Sequence, residues 1–142
     1  MLFKNILVPY DGSSHSKHAF KVALDMAKKY HSKLSMITVL DLSTGYWAHT
    51  NLWDKAIGGT KTLVAKEFEA FESSAKKPKV SFRSEIIESK SVTKTIVSYA
   101  KSKKIDLIVM GAHGMTVWDK LTIGSITDGV MHRVRCPVLI VR

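Results

Sequence analysis

Gly111-Ala-His-Gly114, nine further residues and then Gly124-Ser125 form the stretch of this chain whose residue types and spacing point most directly to chemistry. Two close glycines let a backbone turn sharply and approach a ligand with no Cβ in the way. Gly124-Ser125 opens a helical pattern. The first N–H groups of a helix have no internal partner and lie at its positive end, where a phosphate oxygen can accept from them. The chemistry implied is phosphate binding, and hence nucleotide binding. Either half of the pattern is common alone; its weight comes from standing between an apolar strand-like run and an amphipathic helical one.

Other candidates compete with this one. Ser125-Ile-Thr-Asp128 fits a capping box, in which Ser125 and Asp128 satisfy the helix's own N–H groups and Asp128 mildly repels a phosphate. Asp11, in the turn Asp11-Gly-Ser-Ser14, has the plain role of bonding to backbone two residues on. His113 can donate to a phosphate or carry protons near neutral pH, though a loop histidine is more often just a polar loop residue. His15 and His18, three apart, could share a helix face and a metal, but no third ligand accompanies them. Gly58-Gly-Thr-Lys-Thr62 resembles the end of a P-loop without its first glycine or spacing, and is set aside. Group transfer from a nucleotide needs a positioned base or metal-holding carboxylates. Only Asp11, Asp119 and Asp128 qualify, none with a diagnostic spacing, so no catalytic residue is assigned and any hydrolysis is expected to be slow.

These residues must be held by regular elements, and the apolar pattern supplies them. A buried strand is expected over Leu2–Val8, stopped by Pro9 and the turn that follows. Ala19, Phe20, Ala23, Ala27 and Tyr30 recur at helical spacing, and Lys33–Leu40 reads as a second strand. From Asp41 to about Gly59 the pattern dissolves, predicting a long irregular connection in which Trp47 and Trp53 either pack the segment or cover a ligand. Val64, Phe68 and Phe71 mark a helix ended by Lys76-Lys77-Pro78. Val80–Ile87 alternates apolar and polar residues, as a strand nearer the sheet edge does. A third helix follows on Val92, Ile96, Val97 and Ala100, then a buried strand over Ile105–Met110. The last helix carries Ile126, Val130, Met131 and Val134, and Pro137–Val141 is a fifth strand. Strands alternating with helices imply right-handed βαβ crossovers and a parallel sheet, an α/β fold. In such sheets a ligand sits beyond the carboxyl ends of strands whose connections leave in opposite directions. The two polar loops, Pro9–Ser14 and Gly111–Ser125, suit that crevice.

Bulk properties bound the answer. The 142 residues, 45% of them hydrophobic, fit one domain over 1–142. No apolar run approaches the roughly 20 residues that cross a bilayer and no leader pattern opens the chain, so a soluble cytoplasmic protein without membrane contact is expected. One cysteine, Cys136, excludes an internal disulfide and a multi-cysteine metal site, and is expected to be a small buried hydrophobe. The net charge of +10 is spread over helix faces without a basic tract or aromatic ladder. It is read as solvated surface that helps recruit a small anion, rather than as a nucleic-acid interface.

Ile6-Leu-Val-Pro-Tyr-Asp11-Gly-Ser-Ser, Asp106-Leu-Ile-Val-Met-Gly111-Ala-His-Gly114 and Cys136-Pro-Val-Leu-Ile-Val-Arg142 together resemble the universal stress protein family, over nearly the whole chain. The spacing from Gly111 to Ser125 is similar to the motif of that family's ATP-binding branch. The resemblance implies a three-layer, Rossmann-like fold with strand order 3-2-1-4-5, and a homodimer. An exposed Val-Leu-Ile-Val edge within 137–142 independently favours pairing with a second copy. The resemblance further implies Pro9 near the base, Asp11 on the ribose hydroxyls, and Val39 or Leu40 offering backbone groups to the adenine edge. Met110, Gly111, His113 and Gly114 would line the ribose and phosphates, and Gly124, Ser125, Ile126 and Thr127 would hold phosphates through N–H and hydroxyl donors. The ligand expected is ATP, or AMP or ADP, with Mg as an optional companion, bound by a stress-response sensor or regulator. A slow ATP hydrolase and a nucleotide-free protein- or nucleic-acid-binding module are the alternatives. Where many family members carry a glycine after the third strand, this chain has Glu88-Ser-Lys-Ser91.

Overall fold

β1 (Asn5–Pro9) is a run of apolar residues whose alternate side chains must find cover on opposite faces. Ile6 and Val8 pack into one core cluster with Ala19, Phe20, Ala23, Val64 and Phe68, whereas Leu7 packs into another with Ile96, Ala100, Ile108 and Val130. The sheet is therefore covered on both sides, by α1 (Ser14–Tyr30) and α2 (Asn51–Lys76) on one face and α3 (Val92–Ser102) and α4 (Ser125–Arg133) on the other. The computed structural model describes residues 3–43, 51–113 and 123–142, with the side chains of 51–57 outside that description.

The remaining strands are β2 (Lys33–Asp41), β3 (Ser81–Ser89), β4 (Leu107–Gly111) and β5 (Val138–Val141), in the order β3-β2-β1-β4-β5 with every pair parallel. The chain winds outward from β1 to β3, then returns across the sheet to β4 and on to β5. The switch in direction falls between β1 and β4, whose carboxyl ends carry the two polar loops. The α/β fold and strand order are those expected from sequence. β3 is an edge strand with mostly exposed or half-buried residues, as its alternation indicated.

The long irregular connection is corrected. Helix α2 already begins at Asn51, so Gly58 and Gly59 lie within a helix rather than a loop. The two adjacent glycines, each costing about 1 kcal/mol relative to alanine in a helix, concealed it, although Trp53, Ile57 and Val64 recur at helical spacing. Trp47 lies outside the described residues, as does the side chain of Trp53. The P-loop-like residues Gly58–Thr62 are exposed on this helix, consistent with setting them aside.

Two further expectations change. Cys136 is half-buried rather than a core residue, and burial pushes its thiol above the ordinary range. Glu88–Ser91, in place of a glycine, is closed by hydroxyls: Ser89 Oγ donates to Ser91 O at 3.2 Å and accepts from Ser91 N–H at 3.1 Å. Ser91 then caps α3 by accepting from Lys94 N–H at 3.3 Å.

Candidate functional site

β1 ends at Pro9, but its neighbour β2 runs on to Asp41, and this difference in length opens a crevice. Tyr10 N–H makes the last bridge across, to Ile37 O at 2.8 Å, and Thr38 Oγ1 donates to Tyr10 O at 2.8 Å. Backbone groups along a strand alternate in direction, so Val39 faces the same side as Ile37, where β1 has gone. Leu40 faces β3, with which it pairs opposite Glu88. Val39 therefore turns its backbone groups toward the crevice and lines it, whereas Leu40 does not.

The crevice contains a cavity of about 130 Å³. One wall is apolar: Pro9, Ile37, Val39 and Met110 come from the sheet, and Val92 and Ile96 from α3. The other is polar: Asp11 and Ser16 come from the first turn and α1, and Gly111, His113 and Gly124–Thr127 from the second loop and α4. Eleven of the twelve expected residues lie in the described structure, and ten of them line this one cavity; Leu40 does not, and Gly114 lies outside the described residues. Residues that sequence reasoning missed are Tyr10, Ser16, Ile37, Val92 and Ile96. The signals were present: Ile37 is two residues before Val39 on one strand face, and Val92 and Ile96 are an i, i+4 pair on the expected third helix.

The roles of individual residues differ from a bare motif reading. Asp11 does shape its own turn: Oδ1 accepts from Ser13 N–H and from Ser16 Oγ, both at 2.9 Å. Among the described residues Oδ2 has no partner, so one carboxylate oxygen of this exposed side chain is left for a ligand. Helix α1 is capped instead by Ser13, whose hydroxyl accepts from Ser16 N–H at 3.1 Å.

Gly111 is needed for packing rather than for a ligand's approach. A Cβ there would lie 2.8 Å from His15 C and Cβ and 2.9 Å from Ser16 N, so only glycine lets the first turn of α1 sit against the end of β4. Gly124 has φ −61° and ψ 153°, a conformation open to any residue. It is held by its N–H, which donates to Ala112 O at 2.8 Å, so the two ends of the glycine motif are joined at their base.

The capping box is not formed. Gly124 is the N-cap of α4, no side chain caps the helix, and exposed Ser125 is its first residue. Asp128 N–H already bonds to Gly124 O at 2.9 Å, which leaves the N–H groups of Ser125, Ile126 and Thr127 without an intrahelical acceptor. The Thr127 hydroxyl is not among the free donors, since it is buried and donates to Gly111 O at 3.0 Å. Ile126, expected on the apolar face, is 39% exposed beside the cavity, and α4 buries Thr127 and Val130 instead.

His113 is 6% exposed, and its Nδ1 has no hydrogen-bond partner among the described residues. Its ring meets that of His15 edge to face, 5.3 Å between centroids and 72° between planes. An unsatisfied buried imidazole nitrogen is costly without a partner, and here it belongs to a side chain forming the cavity wall. His18 turns away and contacts Arg142 O through Nδ1 at 2.6 Å, so His15 and His18 do not form a metal pair. Among the described residues no three His, Cys, Asp or Glu side chains are grouped to hold a metal ion. On the other face, the Tyr10 hydroxyl donates to Glu67 on α2; burial first, then this carboxylate, raises the phenol's pKa far above its ordinary value.

Compared with known proteins, residues 2–142 match the universal stress protein family. A universal stress protein of Methanocaldococcus jannaschii is 32% identical over 143 residues, spanning 99% of this chain and 83% of that protein. The structure of universal stress protein UspA from Lactobacillus plantarum superposes with a TM-score of 0.80 at 29% identity, covering 100% of this chain and 99% of the other. A universal stress protein from Archaeoglobus fulgidus, solved in complex with dAMP, shares the fold at 17% identity with a TM-score of 0.69 over 100% of both chains. With the match running from residue 2 to the last residue, the chain belongs to the universal stress protein family.

Proposed function

We propose that this protein binds an adenine nucleotide, ATP or AMP, in the crevice between β1 and β4 and serves as a cytoplasmic stress-response sensor or regulator. One observation carries the reading: the N–H groups of Ser125, Ile126 and Thr127, without an acceptor among the described residues, open α4 at a cavity whose opposite wall is apolar. That wall suits a purine, with the Val39 N–H and C=O at its edge. The Asp11 Oδ2, without a partner among the described residues, suits ribose hydroxyls. The amides of Ser125, Ile126 and Thr127 suit phosphate oxygens, which the dipole of α4 further favours. The dAMP held by the Archaeoglobus fulgidus relative is of this ligand class. Three or four charge-assisted hydrogen bonds, at roughly 1.5 to 3 kcal/mol each, set against the cost of association, are compatible with about micromolar affinity. Any Mg²⁺ would then be carried mainly by the phosphates and water.

A homodimer through 137–142 fits the same picture. β5 pairs with β4 on one side only, and Leu139 is 38% exposed on this edge strand. No helix among the described residues is long and apolar enough to cross a membrane.

The test opposes stability to affinity. The backbone of Gly124 accepts aspartate without strain, and Gly124→Asp places a carboxylate on the amides of α4, capping the helix and repelling phosphate. Calorimetric titration with ATP and AMP is expected to give roughly micromolar Kd for the wild type and at least about 100-fold weaker binding for the variant. Urea unfolding is expected to show the variant more stable by a few tenths to about 1 kcal/mol. Unchanged affinity in a folded Gly124→Asp protein would remove the assignment.

A further inference from the structure

We propose that a second ligand site lies at the far ends of α3 and α4 and takes an amphipathic carboxylate, a medium-chain fatty acid. It shares no lining residue with the nucleotide crevice. Gly129 brings α4 close to α3, since a Cβ there would lie 3.1 Å from Thr93 Cγ2. Further along, towards the amino end of the sheet, the two helices flank a groove of about 430 Å³, within the roughly 300 to 1,000 Å³ of small-molecule sites.

The chemistry of the lining selects the ligand. Val97 and Ala100 of α3, with Ile105, Val134 and Cys136, give the groove its apolar surface. Lys101, Arg133 and Arg135 complete it, so among the described residues no carboxylate, amide or hydroxyl side chain borders the groove. A sugar, a base or a peptide finds no neutral hydrogen-bonding side chain there to read it. A hydrocarbon with one anionic end finds both of its halves matched.

The charges favour the anion. The ends of α3 and α4 each present roughly half a negative charge, and Asp106, a carboxylate near enough to act on Cys136, is engaged by Lys4 and Asn5 N–H groups. Against these stand the three cations of the lining, with Lys103 and Lys104 exposed just beyond α3. Cations that look dispersed along the sequence gather here because each helix of a parallel α/β sheet ends where the next strand begins. Arg133 is steadied by Nη1, which donates to Gly129 O at 3.0 Å, and its other donors are left for a carboxylate. Lys101 and Arg135 have no carboxylate partner among the described residues.

The experiment is calorimetric titration of the full chain with decanoate below its micelle-forming range, beside the rate at which N-ethylmaleimide alkylates Cys136, the only cysteine. Decanoate is expected to bind and to suppress alkylation in proportion to occupancy. Octanoate is expected to bind up to about tenfold more weakly, each fully buried CH₂ being worth about fourfold. Decanol, without the charge, is expected to be at least about tenfold weaker than decanoate. Lys101→Glu with Arg135→Glu, both at exposed positions, is expected to weaken decanoate at least about tenfold. Lys28→Glu with Lys29→Glu makes the same change of net charge at the end of α1, on the other face of the sheet, and is expected to leave affinity within about twofold. Equal losses in the two variants, decanol binding as tightly as decanoate, or unprotected Cys136 at saturating decanoate would each overturn the proposal. Protection of Cys136 that follows protein concentration instead of decanoate would give the groove to a second copy. Binding to phosphatidylglycerol vesicles without binding of free decanoate would give it to a bilayer, and either result would overturn the fatty-acid site.

Discussion

At the amino end of the sheet the Asp106 carboxylate accepts from Lys4 N–H at 2.8 Å and Asn5 N–H at 2.9 Å; at the carboxyl end three amides of α4 and the His113 Nδ1 have no partner among the described residues. The contrast extends beyond these atoms. Around Asp106, Asp106 N–H donates to Asn5 O at 3.0 Å, Asn5 Nδ2 to Lys104 O at 3.2 Å, and Lys33 N–H to Lys4 O at 2.7 Å. Three helices finish at this end on left-handed residues, His31 (φ 57°), Lys79 (φ 59°) and Lys104 (φ 54°), where the chain would favour glycine. The Ser32, Val80 and Ile105 amides that follow all bond back, to Ala27, Ala75 and Ala100. The backbone at the amino end completes its hydrogen bonding among the described residues even at some conformational cost, and there the buried Tyr99 hydroxyl, near the end of α3, has no partner among them. The carboxyl end leaves backbone amides without a partner among the described residues, and this asymmetry is what supports the proposed binding site there.

Gly111→Val gives the largest expected effect, and it sharpens where the contrast stops. Gly111 lies at the carboxyl end, yet the atoms that a Cβ would strike, at 2.8 to 2.9 Å, are the backbone and Cβ of α1's first turn. Backbone cannot swing aside as a long side chain can, so about 3 kcal/mol or more of destabilisation is expected. Urea unfolding checks this. A loss below about 1 kcal/mol would show that α1 sits less firmly on β4 than this contact requires.

That glycine also shows what was legible in the sequence. Its position in the motif was evident, but its reason was not, because the clash is with His15 and Ser16, nearly a hundred residues away in the chain. The core was easier to read. Runs such as Ile6–Val8 and Leu107–Met110 are apolar at every position because both faces are covered, and no alternative element explains them. The strand alternation that separates Val39 from Leu40 depends on where β1 ends, which only the paired structure supplies. Val92 and Ile96 were recognised as helical core positions, but their second use as a cavity wall arises from the crossover that brings α3 over the end of β2. The uncapped start of α4 was read in reverse: Ser125 and Asp128 have the residue types of a capping box, and a shift of one position in the helix start leaves both outside it.

Asp106→Ala comes next in size, and it could break the comparison. It removes the acceptor of two successive amides and leaves them without protein partners at the start of β1, with an expected cost of about 1 to 3 kcal/mol. ATP affinity is expected to be unchanged, because Asp106 and the cavity lie at opposite ends of β4. Urea unfolding and calorimetric titration on the same preparation separate the two readouts. Affinity lost in proportion to stability would mean that the two ends are energetically continuous, and that the amino end contributes to shaping the crevice.

Gly59→Ala is the smallest effect and probes how far the functional end extends. Helix α2 leaves the carboxyl end of β2's side of the molecule, and its early turns carry Gly58 and Gly59 with open space where a Cβ would sit. Exposed glycine in a helix interior is conformationally costly, so alanine is expected to stabilise by about 0.5 to 1 kcal/mol. If this part of α2 is only scaffold, the gain appears in urea unfolding and ATP affinity stays the same. If the early turns of α2 must loosen to admit the ligand, stiffening them with alanine weakens or slows binding while the stability still rises. Stopped-flow binding beside equilibrium unfolding distinguishes the two, because a scaffold helix leaves the association rate untouched whereas a gate does not.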